Sequence, residues 1–156
     1  MHITFTTVCG MKKLTIKTSD IENLDTEIKN IKNENPKNHI IYNIPEMRKI
    51  FQLIQSVMIL LIRIVLYNLP INQINQLVST DVYNKISYFK ILYSLADTPK
   101  IQPVISFIHT HIQMNMKINV LNITGAIKVD EKIHPFMLRL EKQKNKWIIK
   151  RINYVF

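Results

Sequence analysis

Apolar and polar residues follow two different periods along this chain. From Pro45 to Tyr67 the body IFQLIQSVMILLIRIVLY is apolar nearly all round. Its polar positions, Arg48, Lys49, Gln52, Gln55, Ser56 and Arg63, mostly fall three or four apart, which places them on one narrow stripe of a helix. Pro45 and Glu46 are start signals, and Pro70 ends the run. A second, shorter helix is expected over Ile71–Val78. Ser79-Thr80-Asp81 then caps a third, Val82 to Leu95, whose apolar residues include Ile86, Phe89, Ile91, Leu92 and Leu95.

After the turn cluster Asp97-Thr98-Pro99-Lys100 the period falls to two, as in strands. Over Val104–Ile112, Ile105, Phe107, His109 and His111 share one predicted face. Met116–Val129 is a long strand with Gly125 inside it as a bend or bulge. His134–Lys142 sets Phe136, Leu138 and Leu140 against Met137, Arg139 and Glu141. Trp147–Phe156 sets Ile148, Ile152 and Tyr154 against Trp147, Ile149 and Arg151. The turns at Asp130-Glu131-Lys132 and Lys144-Asn145 are short, so consecutive strands are antiparallel. Residues 41–156 therefore predict one α+β domain, with N-terminal helices packed on a curved four-stranded antiparallel sheet. Residues 1–40 are expected to form a polar, disordered tail, because the stretch DIENLDTEIKNIKNENPKN buries too little apolar surface to offset chain entropy. Within it, Ile21, Leu24, Ile28 and Ile31 have helical spacing, and TFTTV has strand character.

Residues 50–69 are also about as long as a bilayer span. Two glutamines and Arg63 lie inside, and a central arginine costs about 2.5–3.5 kcal/mol to insert. The alignment of the polar groups favours a core helix, so no transmembrane segment is expected and a cytoplasmic location is. Cys9 is the single cysteine, which excludes an intrachain disulfide and multi-cysteine zinc sites. With only two glycines there is no phosphate-cradling loop or dinucleotide fingerprint.

The net charge of +10 is uneven. Residues 100–156 hold ten basic and three acidic groups, against six and five in residues 1–40. Such a field suits acidic partners or polyanions, although lysine also fills ordinary solvated faces.

The segments LPINQINQLVSTDVYNKI, PVISFIHTHI and NVLNITGAIKVDEKIHPFMLRLEKQKNKWIIKRINYV resemble the cone-shaped, nuclear-transport-factor-2-like (cystatin-like) fold. More narrowly they resemble a small uncharacterised actinobacterial family with that fold. Leu77-Val78-Ser79-Thr80-Asp81-Val82-Tyr83 is similar to its capping turn and Val-Tyr pair, and Trp147 after Lys144-Asn145-Lys146 to its final hairpin. The resemblance implies pairing through the sheet as a homodimer, and no catalytic residues.

Three constellations carry candidate chemistry. His109, His111 and His134 could form a site of three imidazoles, although no carboxylate is placed to orient them. Asp81, Tyr83, Tyr93 and Asp97 are acid and phenol candidates that read better as a cap, aromatic packing and a turn. Arg139, Lys142, Lys144, Lys146, Lys150 and Arg151 cluster on the final hairpin. The expectation is therefore a non-catalytic protein-interaction module without a cofactor or metal. Its candidate surface is Phe107, His109, His111, Arg139, Lys144, Lys146, Trp147, Lys150 and Arg151. A small-molecule-binding cone protein or degenerate enzyme, and a sequence-independent nucleic-acid binder, are the alternatives.

Overall fold

A computed structural model describes residues 2–9, 12–18, 26, 29–30, 44–95, 104–115 and 118–154. The strands are β1 (His2–Cys9), β2 (Lys12–Thr18), β3 (Ile105–Asn115), β4 (Val120–Val129), β5 (Lys132–Gln143) and β6 (Lys146–Tyr154). Between β2 and β3 lie α1 (Ile44–Tyr67) and α2 (Thr80–Ser94). The six strands among the described residues form one sheet in the order β2-β1-β3-β4-β5-β6.

The four-stranded antiparallel sheet expected from the sequence is thus corrected. The sheet has six strands and is mixed, because β1 runs parallel to β3, with His2 beside His109 and Val8 beside Asn115. His2–Cys9 and Lys12–Thr18 belong to this sheet rather than to a tail. Averaging over forty residues hid two different compositions. The acids and amides all sit after residue 19, whereas HITFTTVC is β-branched and aromatic and alternates. Ile3 and Phe5 are buried, while His2 is exposed. Of the helix suggested by Ile21 to Ile31, Thr26, Lys29 and Asn30 are helical, and the remainder lies outside the described residues, as does the turn at Asp97–Lys100.

α1 is the core of the molecule. Ile50, Phe51, Ile54, Met58, Leu61 and Ile62 are each buried to within about a hundredth of complete. Lys49, Gln52, Ser56 and Arg63 form the exposed stripe that the spacing predicts. Glu46–Tyr67 is long and apolar enough to cross a membrane, yet half of it is buried inside this fold. It packs as a core helix with a solvent edge. Asn68, at φ 56°, ends it in the left-handed conformation that asparagine tolerates.

The expected helix over Ile71–Val78 is instead one 3-10 turn, Ile71–Ile74. The chain beyond this turn is drawn to the edge of the sheet: Val78 forms a parallel bridge with Ile149, Ser79 N–H donates to Ile149 O at 2.9 Å, and Ile149 N–H donates to Leu77 O at 2.8 Å. Those bonds satisfy the outer edge of β6 there, which a helix could not do. Ser79 caps α2, its hydroxyl accepting from Val82 N–H, so Asp81 sits in the first turn rather than at the cap.

Two bulges set the faces of the sheet. In β3, Phe107 pairs with Ile127 and His109 with Ala126, leaving Ile108 as an extra residue. In β6, Ile149 pairs with Leu140 and Arg151 with Arg139, leaving Lys150 extra. Each insertion reverses the alternation beyond it. Ile105 and Phe107 consequently share the helix-covered face with Ile112, whereas His109 and His111 lie on the opposite face. In β6, Trp147 and Ile149 join Ile152 and Tyr154 on the helix side. The face assignments expected for these two strands are corrected accordingly. β5 keeps the expected alternation, and β4 pairs with it without the bend or bulge expected at Gly125; the irregularity lies in the neighbouring β3, at Ile108.

Gly125 sits where the β3 bulge and an aromatic ring converge. A Cβ there would lie 2.5 Å from His109 O and 2.6 Å from the Phe136 ring, so only glycine fits without displacement. The Phe136 ring also meets Phe107 edge-on at 6.2 Å.

Candidate functional site

The sheet presents one face to the helices and one without a helix among the described residues. On the latter, β5 contributes Pro135 and Met137, β4 Thr124 and Ala126, β3 His109, and β6 Asn153. These side chains, with the backbone around Gly125, line a shallow groove of about 430 Å³. Its lining is chiefly apolar, and the exposed Met137 (50%) and Ile133 (65%) lie along the same strand. Arg139 is two residues beyond Met137, and Arg151 is its cross-strand partner, so two guanidinium groups extend the β5 and β6 walls. Arg139 Nε donates to Glu141 Oε1 at 3.3 Å, a pair open enough to water to contribute little to stability.

The residues expected to form one surface divide into several. His109 is exposed at the groove. His111 is half-buried on the same face, its Nε2 2.9 Å from Thr6 Oγ1 on β1. Phe107 faces the helices. Trp147 does too, at the end of the sheet where α1 begins: its Nε1–H donates to Glu46 Oε1 at 3.0 Å, and Lys142 Nζ lies 5.6 Å from the ring and 3.6 Å from the same carboxylate. Lys144 and Lys146 are exposed at the tip of the hairpin, where Lys144 and Asn145 both take positive φ, as in a type I′ turn. Lys150, the bulge residue, lines polar clefts beside Asp81 at the start of α2. The basic groups of the last hairpin therefore point to four places and do not compose one patch.

His134 stands on the helix face, stacked on Tyr154 at 5.5 Å, away from His109 and His111. The three imidazoles do not converge, and no group of three or more His, Cys, Asp or Glu among the described residues is arranged to hold a metal. Tyr83 packs against the core, Tyr93 lines a cavity at the far end of the helices, and Asp97 lies outside the described residues. Burial, reinforced by Tyr93, pushes the Tyr154 phenol far above its ordinary range.

Ala126, Pro135 and Asn153 were not expected at a site. Their signal was present in β5, where Met137 falls on the parity opposite Phe136 and Leu138, an apolar side chain placed where a solvated strand wants a polar one. No known protein-family model matches this chain, and no curated protein matches it either.

Proposed function

We propose that this chain is a non-catalytic, cytoplasmic interaction module that receives a protein partner on the helix-free face of its sheet. The observation behind this reading is the apolar groove over Ala126, Pro135 and Met137, continued by Arg139 and Arg151. An apolar floor with a basic margin suits a polypeptide that brings an apolar anchor and acidic flanks. Burying the anchor would supply most of the affinity and the charges the orientation. A second copy of this chain is the weaker occupant, since each copy carries a net charge of +10 and the two repel.

Capture of the tagged chain's partners from its own cells tests this, beside Met137→Glu and Thr124→Arg, both at exposed positions that leave the core untouched. The expected result is one defined acidic polypeptide, retained at high salt and lost with both variants. Sedimentation at rising concentration should show a monomer. Nucleic acid alone, released by salt, or a protein set unchanged in both variants, would sink the reading. A dimer dissolved by Met137→Glu would replace the partner with a second copy.

A further inference from the structure

α1 and α2 finish at the same end of the sheet, beside the β4–β5 turn, and a second cavity of about 430 Å³ opens there. It shares no lining residue with the groove on the opposite face. Leu66 and Val129 give it apolar walls, and Tyr93 and His134 give it aromatic ones. The His134 ring is held by stacking on Tyr154, nearly parallel at 22°. Asp130 and Glu131 stand at the mouth, the only adjacent acids among the described residues of a chain with net charge +10. Asp130 is fixed, its Oδ1 accepting from Val104 N–H at 3.1 Å. Burial and, after it, the charge of Asp130 raise the nearby Tyr67 phenol above its ordinary range. Glu131 is paired with Lys128 at 3.1 Å, and Lys132 reaches the mouth from the solvent side.

Each part of this lining selects. Apolar walls disfavour a strongly hydrated ion, and the donor set is too sparse for a metal. Aromatic faces carry negative quadrupole and attract cations, most of all cations whose own surface is methylated. A fixed carboxylate at the lip adds charge without closing the cavity. We infer that this end cavity binds a small organic cation, with an alkyl- or trimethylammonium group seated against Tyr93 and His134 and its charge facing Asp130. The group could arrive on a free small molecule or on a methylated lysine of a protein; the chemistry is common to both.

The test titrates the full chain with choline and with 3,3-dimethyl-1-butanol, its uncharged isostere, following the NMR signals of Leu66 and Val129. Choline should bind at least about tenfold more tightly than the alcohol. Asp130→Asn should remove most of that advantage and leave the alcohol unaffected. The variant keeps its fold, because φ 53° at this turn suits asparagine as well as aspartate and the acceptor for Val104 remains. Tyr93→Leu, which keeps an apolar wall but removes the ring, should weaken choline selectively too. A trimethyllysine peptide titrated in parallel identifies the source: tighter binding than choline points to a protein side chain, weaker binding to a free metabolite. Equal affinity for choline and the alcohol, no choline binding, or choline binding indifferent to both variants would each overturn the inference.

Discussion

β5 and β6 are neighbours paired over most of their length, yet one keeps strict alternation and the other breaks it. In β5 every second residue, Phe136, Leu138 and Leu140, enters the core. In β6, Ile152 and Tyr154 enter it, but so do Ile149, three places earlier, and Trp147. The whole difference is one residue, Lys150. A strand with apolar residues at both parities has two self-consistent readings, and the partner strand rather than the strand itself decides between them.

The strongest way to break this contrast is Ile149→Ala. On an unbroken strand Ile149 would lie opposite Ile152 and Tyr154, in solvent, and its loss would be nearly free; the bulge buries it, so the expected loss is about 2–5 kcal/mol, read from urea unfolding. Deleting Lys150 sets Trp147, Ile149, Ile152 and Tyr154 on one parity and should cost far less than Ile149→Ala; a deletion that costs as much would show that the bulge does more than set the face. Next in size is Trp147→Ala. An outward tryptophan on a polar face would lose little. One that packs on the core and bonds Glu46 should lose about 2 kcal/mol in the same assay. The smallest effect concerns pH. The Tyr154 phenol is raised in the folded chain, so above about pH 10 the unfolded state loses a proton that the folded state keeps. Its contribution is complete below that pH and is lost as pH rises towards the folded value. Wild-type stability should therefore fall more steeply in alkali than that of Tyr154→Phe.

The same contrast explains what could be read from the sequence. α1 was legible because its polar stripe persists through Arg48, Gln52, Ser56 and Arg63. β5 was legible because nothing interrupts its alternation, whereas Gly125 suggested a bulge in β4 that belongs to the neighbouring β3. The bulges at Ile108 and Lys150 leave no hydrophobic trace, so Phe107 and Trp147 were assigned to a surface they do not occupy. α2 was only half legible for a related reason. Val82, Ile86, Phe89 and Tyr93 turn towards the core, while Tyr88, Ile91, Leu92 and Leu95 are exposed on the other side, Leu95 by 81%. Two apolar stripes on one helix look alike until the direction of the core is known. Of the groove, His109 was named in the sequence on a face shared with Ile105 and Phe107, from which the bulge at Ile108 removes it, and the floor was missed because Ala126 and Pro135 carry no chemistry of their own.

The parallel pairing of β1 with β3 bears on synthesis. The β1–β2 hairpin is made before its other neighbour: the strand that places His109 opposite His2 follows roughly a hundred residues later. Closing a loop of that length costs about 4 kcal/mol of chain entropy before the ladder returns anything. Until then Ile3 and Phe5 have no core to enter, so a nascent chain stalled before Ile105 would carry two strands with an open, apolar-backed edge, a template that a trigger-type chaperone could shield or a second nascent chain could capture.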